Sequence, residues 1–126
     1  SHAPPFLPLL GGKIVAVDLE AGTCTFEFNI SRDYCHSVDV VQGGFITAML
    51  DAAMSHAVFA REEGITGLNS LEINTSYLET TRAGRLKAVG RILRAGHKTI
   101  FLEGELYNDA GQLTAKTTTV AKLARG

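Results

Sequence analysis

The stretch Val41–Glu62, VQGGFITAMLDAAMSHAVFARE, decides how the rest of the chain is read. Gly43 and Gly44 open a nearly unbroken apolar run that holds Phe45, Ile46, Met49, Leu50, Met54, Val58 and Phe59 and contains no proline. At 3.6 residues per turn, such a run predicts a helix of about six turns, apolar almost all round and therefore wrapped by other elements. Asp51 breaks the pattern, because an ionised carboxylate is costly to bury without a partner.

A chain of 126 residues is expected to form one domain, residues 1–126, with a single core. Pro4, Pro5 and Pro8 keep the first twelve residues out of regular structure, and Ser1-His2 reads as a remnant of expression. A formal charge of -1 and a pI near 6.4 exert no global pull on nucleic acid or an anionic membrane. Asp51, Ser55 and His56 interrupt the apolar run and no export signal flanks it, so the expectation is a cytoplasmic protein with no membrane partner. Cys24 and Cys35 form no metal-ligand spacing with a histidine pair and read as buried, inert thiols, with no metal expected.

Strand signals flank the helix. Lys13–Leu19 and Thr23–Ile30 predict a hairpin around Glu20-Ala21-Gly22, and the second strand places Cys24, Phe26, Phe28 and Ile30 on one face. Ser31–Val41 reads as a loop that carries Asp33, Tyr34, His36, Ser37 and Asp39 to the helix start. Gly64 and Gly67 mark the helix end, and Asn69–Leu78 resumes strand character. Arg85–Ala95, Lys98–Tyr107 and Gln112–Leu123 predict an antiparallel meander with turns at Gly96 and Asn108–Gly111. Two strands, one long helix and four strands make an α+β domain whose curved sheet wraps the helix.

Glycines at a helix start leave backbone N–H groups uncovered at the positive end of the macrodipole, where they can hold an oxyanion. The pair is weak evidence alone, since glycines also allow close packing there. Asp51 adds weight: amid Met49, Leu50 and Met54 its carboxyl should titrate high unless hydrogen-bonded, which suits a general base or a nucleophile, although a structural acid fits too. Eight residues separate Gly43 from Asp51, a rise of roughly 12 Å, so one carbonyl cannot easily meet both groups of the same helix. Two antiparallel copies across a two-fold would bring Gly43 of one near Asp51 of the other, which predicts a dimer with shared sites.

The string from Val41 to Asp51, VQGGFITAMLD, with Ser70–Leu78, SLEINTSYL, resembles the hotdog-fold acyl-CoA thioesterases of the phenylacetate-pathway, PaaI-like type. The resemblance covers Tyr34 to about Leu123. It implies a hotdog fold, Asp51 as general base or nucleophile, the Gly43 N–H polarising the thioester carbonyl, and Ser70 helping to hold the attacking water. Gln42 stands where that family often has a histidine, and His36 where many members have an asparagine. Both keep a hydrogen-bonding side chain, and both also have bland readings, His36 as a solvated loop residue and Gln42 as a cap. No cofactor is implied beyond coenzyme A as part of the substrate. A homodimer or dimer of dimers, with each site between subunits, is implied as well.

Between Thr80 and Leu102 there is no acid, yet Arg82, Arg85, Lys87, Arg91, Arg94, His97 and Lys98 lie there, a candidate site for coenzyme A phosphates. The expected acyl tunnel is lined by Phe45, Met49 and Met54, with Gly44 beside the reacting carbonyl. Two rivals stand beside thioester hydrolysis: a hydratase or dehydratase acting on acyl thioesters, and a non-catalytic acyl-CoA-binding module.

Overall fold

The structure is a computed structural model that describes residues 12–31, 35–36, 40–62 and 64–125. The irregular segment expected before residue 12, and the loop residues Asp33, Tyr34, Ser37 and Asp39, lie outside the described residues.

Alternation builds the sheet. In β2 (Thr23–Ile30), Cys24, Phe26, Phe28 and Ile30 are all buried, as their spacing requires, and burying each phenylalanine contributes about 2 to 3 kcal/mol. β1 (Lys13–Asp18) pairs with it across a turn in which Asp18 Oδ1 accepts the Ala21 N–H at 3.0 Å and Gly22 takes a φ of 70°. Two short strands, β3 (Cys35–His36) and β4 (Val40–Val41), then pair with each other and lead into α1 (Gly43–Arg61). After the helix come β5 (Ile65–Tyr77), β6 (Gly84–Ala95), β7 (Thr99–Tyr107) and β8 (Leu113–Arg125). The six long strands form one antiparallel sheet in the order β1-β2-β6-β7-β8-β5, with α1 packed chiefly on β6, β2 and β7. This is the expected α+β arrangement, with two differences: the stretch expected to be a loop, Ser31–Val41, contains the β3–β4 pair, and β5 starts earlier. The strand begins at Ile65, so Gly67 pairs opposite Ala124 inside it, and only Gly64, with a φ of 74°, turns the chain after the helix.

The helix sits on two facing glycines. Gly90 of β6 and Gly104 of β7 are register partners, and both are buried. A Cβ at Gly90 would fall inside the Ala53 carbonyl and the Met54 amide, while one at Gly104 would stand 3.3 Å from Leu50 Cβ and 3.4 Å from Met54 Cγ. Isolated glycines inside strands mark such close backbone approaches.

The helix is covered on one side, and the expectation of a fully wrapped element does not hold for a single chain. Ile46, Met49, Leu50, Ala53, Met54, Ala57 and Val58 are buried, whereas Gly44, Ala48, Asp51, Ser55 and Phe59 share the opposite stripe and are half-buried or exposed. By length and hydropathy α1 could cross a membrane, but its apolar face is taken up by the sheet.

Because the Gly90 contact involves helix backbone that cannot move aside cheaply, Gly90→Ala should destabilise the fold by about 3 kcal/mol. Urea denaturation checks this, and an unchanged midpoint would mean that the helix does not rest on the sheet as described.

Candidate active site

The helix start carries unused donors. Gln42 is the N-cap, with φ -65° and ψ 142°, and its carbonyl accepts the N–H groups of Phe45 at 3.0 Å and Ile46 at 3.2 Å. Its exposed side chain makes no capping bond, so the capping role open to it in the sequence is not realised. No acidic side chain lies in the first turn, and the Gly43 and Gly44 amides meet no acceptor among the described residues. The positive end of the helix is therefore available to an anion.

Tyr77 stands against this end. Its hydroxyl donates to the Gly43 carbonyl at 3.3 Å, and a Cβ at Gly43 would lie 2.8 Å from that hydroxyl oxygen. A cavity of about 520 Å³ opens here, lined by Val40, Val41, Gly43, Ile46, Tyr77, Leu78 and Thr81 among others. Tyr77 went unassigned in the sequence reading. Its signal was there, an aromatic side chain ending the strand after the helix, but nothing in one sequence says which glycine it meets.

Asp51 lies elsewhere on the helix. It is half-buried between Leu50 and Ala52, burial pushes its carboxyl above the usual carboxylate range, and it makes no hydrogen bond among the described residues. Its level follows from the contacts that precede it. Tyr77 meets Gly43, and Thr75 Oγ1 lies 3.4 Å from Thr47 Oγ1, so each four residues of α1, about 6 Å of rise, match two residues of β5 running the other way. Asp51 thus falls level with Ile73, whose β8 partner Thr119 carries a buried hydroxyl with no hydrogen-bond partner among the described residues. Ser70 sits on the same, helix-side face of β5, opposite the buried Ala121, and is exposed. Asp51 therefore lies near the middle of the helix and Ser70 beyond its level, with Gly43, Gln42 and Tyr77 at the helix start.

Other expected site residues take different places. His36 lies in β3 opposite Val40, and its side chain is outside the described residues. Phe45 packs half-buried against the core. Met49 and Met54 do not line the cavity: both are fully buried in the core, and Met54 packs where the helix closely approaches Gly90 and Gly104. The basic window also changes in space, because strands bring acids from outside it. Arg85 lies 3.7 Å from Glu27, and Arg91 donates to Glu105 at 2.9 Å and to Glu103 at 3.3 Å. Lys116 joins Glu103 at 2.5 Å, and this hydrogen bond holds the Glu103 carboxyl below its ordinary range. Nine residues of extended β6 also set Arg85 and Arg94 about 30 Å apart, so the cations do not form one patch. Arg82 bridges Val40 at the cavity end, while Arg94, His97 and Lys98 lie at and beyond the far end of β6. Of the two thiols, Cys24 is buried, and desolvation pushes it up to about 11, in keeping with an inert core residue.

Comparison with known proteins agrees with this architecture. The thioesterase superfamily's sequence profile matches residues 39–115. A phenylacetic acid degradation-related protein of Ralstonia eutropha JMP134 is 34% identical, with a TM-score of 0.89 over 97% of this chain and 92% of that one. A thioesterase family protein from Silicibacter pomeroyi superposes with a TM-score of 0.88 at 17% identity, covering 98% of this chain and 91% of its own. The PaaI protein of the E. coli phenylacetic acid degradation operon gives 0.85 at 18% identity, covering 95% and 84%. A search of curated proteins found no match. A six-stranded antiparallel sheet around one helix, in this company, is the hotdog fold. The chain belongs to the thioesterase superfamily, and that membership supports thioester hydrolysis as its general chemistry.

The Asp51 environment has a consequence for stability. Burial raises its folded-state pKa above the usual 3.8, so the ionised carboxylate opposes folding at neutral pH, and the penalty disappears once acid protonates it in both states. Asp51→Asn should therefore raise Tm at pH 7, with the gain shrinking as pH falls toward 4. A gain that grows on acidification would contradict the assigned environment.

Proposed function

We propose that the protein hydrolyses an acyl- or aryl-CoA thioester to the free acid and coenzyme A, at sites shared between two copies of the chain. The observation that carries this reading is the division of labour along α1: amide donors at Gly43 and a half-buried carboxylate at Asp51, roughly 12 Å further along the helix, neither with a hydrogen-bond partner among the described residues. Antiparallel pairing of two helices joins the halves. The half-open stripe of Gly44, Ala48, Asp51, Ser55 and Phe59 gives such a pairing small residues for close approach. The exposed Leu71 and Ile73 on edge strand β5 give it apolar area to bury.

In the assembled site the thioester carbonyl points at the Gly43 N–H of one chain. Asp51 of the other takes a proton from water as the water oxygen attacks the carbonyl carbon. Negative charge gathers on the carbonyl oxygen, where the Gly43 amide and the helix end stabilise it, a donor worth roughly 3 to 4 kcal/mol in comparable sites. Collapse of the tetrahedral intermediate breaks the carbon–sulfur bond, and the proton held by Asp51 passes to the departing thiolate. Direct attack by the Asp51 carboxylate, expelling the thiolate as the carbon–sulfur bond breaks and leaving an anhydride that one water then hydrolyses to the free acid and Asp51, uses the same two groups. Ser70, near the Asp51 level, orients the water. The acyl group occupies the cavity lined by Val40, Val41, Ile46, Tyr77 and Leu78, and Arg82, bridged to the cavity residue Val40, serves the coenzyme A phosphates.

Release of free thiol from short-chain, long-chain and aryl-CoA esters, compared between the wild type and Asp51→Asn, tests this directly. At least one ester should be hydrolysed, and the substitution should cut kcat by about a hundredfold or more. The acid limb of the wild-type rate should inflect above 3.8, because Asp51 must be ionised and burial raises its pKa. Undiminished turnover in Asp51→Asn would remove Asp51 from the mechanism. Binding of coenzyme A esters without any hydrolysis would make the chain an acyl-CoA-binding module.

A further inference from the structure

The Gly43 amide is held in place by Tyr77, which the mechanism above uses only as part of the cavity wall, and by Thr81 and Thr114, which it does not use. A helix start with no capping side chain has nothing of its own to hold its first peptide groups. Here the hold comes from the segment that follows β5. The Tyr77 hydroxyl donates to the Gly43 carbonyl at 3.3 Å, and the Val41 N–H donates to the Thr81 carbonyl at 2.8 Å, a bond that pairs the backbones of Val40 and Arg82. The chain is thus held two residues before Gly43 and at the carbonyl of Gly43 itself.

That segment is in turn fastened to the sheet through one residue, Thr114 of β8. Its carbonyl accepts the N–H groups of Leu78 at 2.9 Å and Glu79 at 3.1 Å. Its hydroxyl accepts from the Thr81 hydroxyl at 2.9 Å and donates to the Leu106 carbonyl at 3.4 Å. Thr81 and Thr114 are both buried. Valine would fill the same space without the cost of burying hydroxyls, so the polar pair contributes something that packing does not: it sets where Thr81, and through it Val41 and Gly43, must sit.

We propose that Tyr77 and the Thr81–Thr114 hydroxyl pair are positioning residues for the Gly43 oxyanion donor, a role that rests on the thioesterase reading of the site. By holding the Gly43 carbonyl, Tyr77 fixes the peptide on one side of the Gly43 Cα, the atom that also carries the donor N–H. The threonine pair fixes the strand that feeds the helix. A donor misplaced by about 1 Å can lose a large part of its effect in the transition state while ground-state binding stays the same.

The test compares wild type, Tyr77→Phe, Thr114→Val and Thr114→Ser in steady-state thioester hydrolysis on the ester the wild type turns over best, with Tm measured alongside. Tyr77→Phe keeps the ring and removes the hydroxyl, so kcat should fall about tenfold with KM within about twofold and Tm unchanged. Thr114→Val should lower kcat similarly, and Thr114→Ser, which keeps the hydroxyl, should restore it. Full kcat in Tyr77→Phe overturns the proposal, as does a loss confined to KM, which would make the tyrosine merely a cavity wall. A Thr114→Val loss that Thr114→Ser fails to rescue overturns it too. If the wild type hydrolyses no ester, the thioesterase reading fails and the positioning role falls with it. Turnover by the wild type alongside unimpaired variants sinks the positioning role alone.

Discussion

The contact between the backbone of α1 and the facing glycines of β6 and β7 holds the rest in place. Gly90 and Gly104 are opposite each other in the ladder, and the helix rests on them through Leu50, Ala53 and Met54. Any side chain at Gly90 would lift the helix off the sheet, separating it from Phe26 and Phe28 on the same buried face. Because a β-sheet side chain stands roughly perpendicular to its strand, only glycine lets a helix come this close. The seat also sets the helix level along β5, where Gly43 meets Tyr77 and Thr47 meets Thr75.

From that level the chemistry follows. The helix start borders a cavity, and its Gly43 and Gly44 amides meet no acceptor among the described residues, because the Gln42 carbonyl takes up the N–H groups of Phe45 and Ile46 instead. Asp51, on the stripe turned away from the sheet, keeps partial access to solvent while burial still disfavours its charge. A residue on the sheet side of the same turn, such as Leu50, has no such access. One helix therefore carries bare amides at its start and a half-buried carboxylate near its middle, which its own chain does not bring together.

Much of this was legible in the amino-acid order. The alternation of Cys24, Phe26, Phe28 and Ile30 gives β2 its buried face, and the proline-free run after Gly43-Gly44 gives the helix, because period-2 and period-3.6 patterns are local properties. The family resemblance carried by VQGGFITAMLD agrees with the fold and the superfamily. Properties that depend on neighbouring strands were not legible. The window from Thr80 to Leu102 has no acid in sequence, yet Glu27, Glu103 and Glu105 reach into it across β2 and β7. Met49 and Met54 fit a tunnel as well as a core by composition, and only the packing of the helix on the sheet, for Met54 at Gly90 and Gly104, decides for the core. Isolated glycines in two strand patterns were the available signal for that seat, and register alone pairs them. Phe59, counted among the core residues by periodicity, is exposed because the sheet covers a single side of the helix.

The central claim is that Gly43 and Asp51 act together only across two chains, and hybrid assemblies test it most directly. Gly43→Ala drives a Cβ to 2.8 Å from the Tyr77 hydroxyl and disturbs the donor, while Asp51→Asn removes the base, so neither variant alone should hydrolyse a coenzyme A ester. Refolded together in equal amounts, half of the dimers would pair the two variants, each with one intact site, and thioester hydrolysis should return to about a quarter of the wild-type rate. A mixture no more active than either variant alone would contradict a site shared between copies.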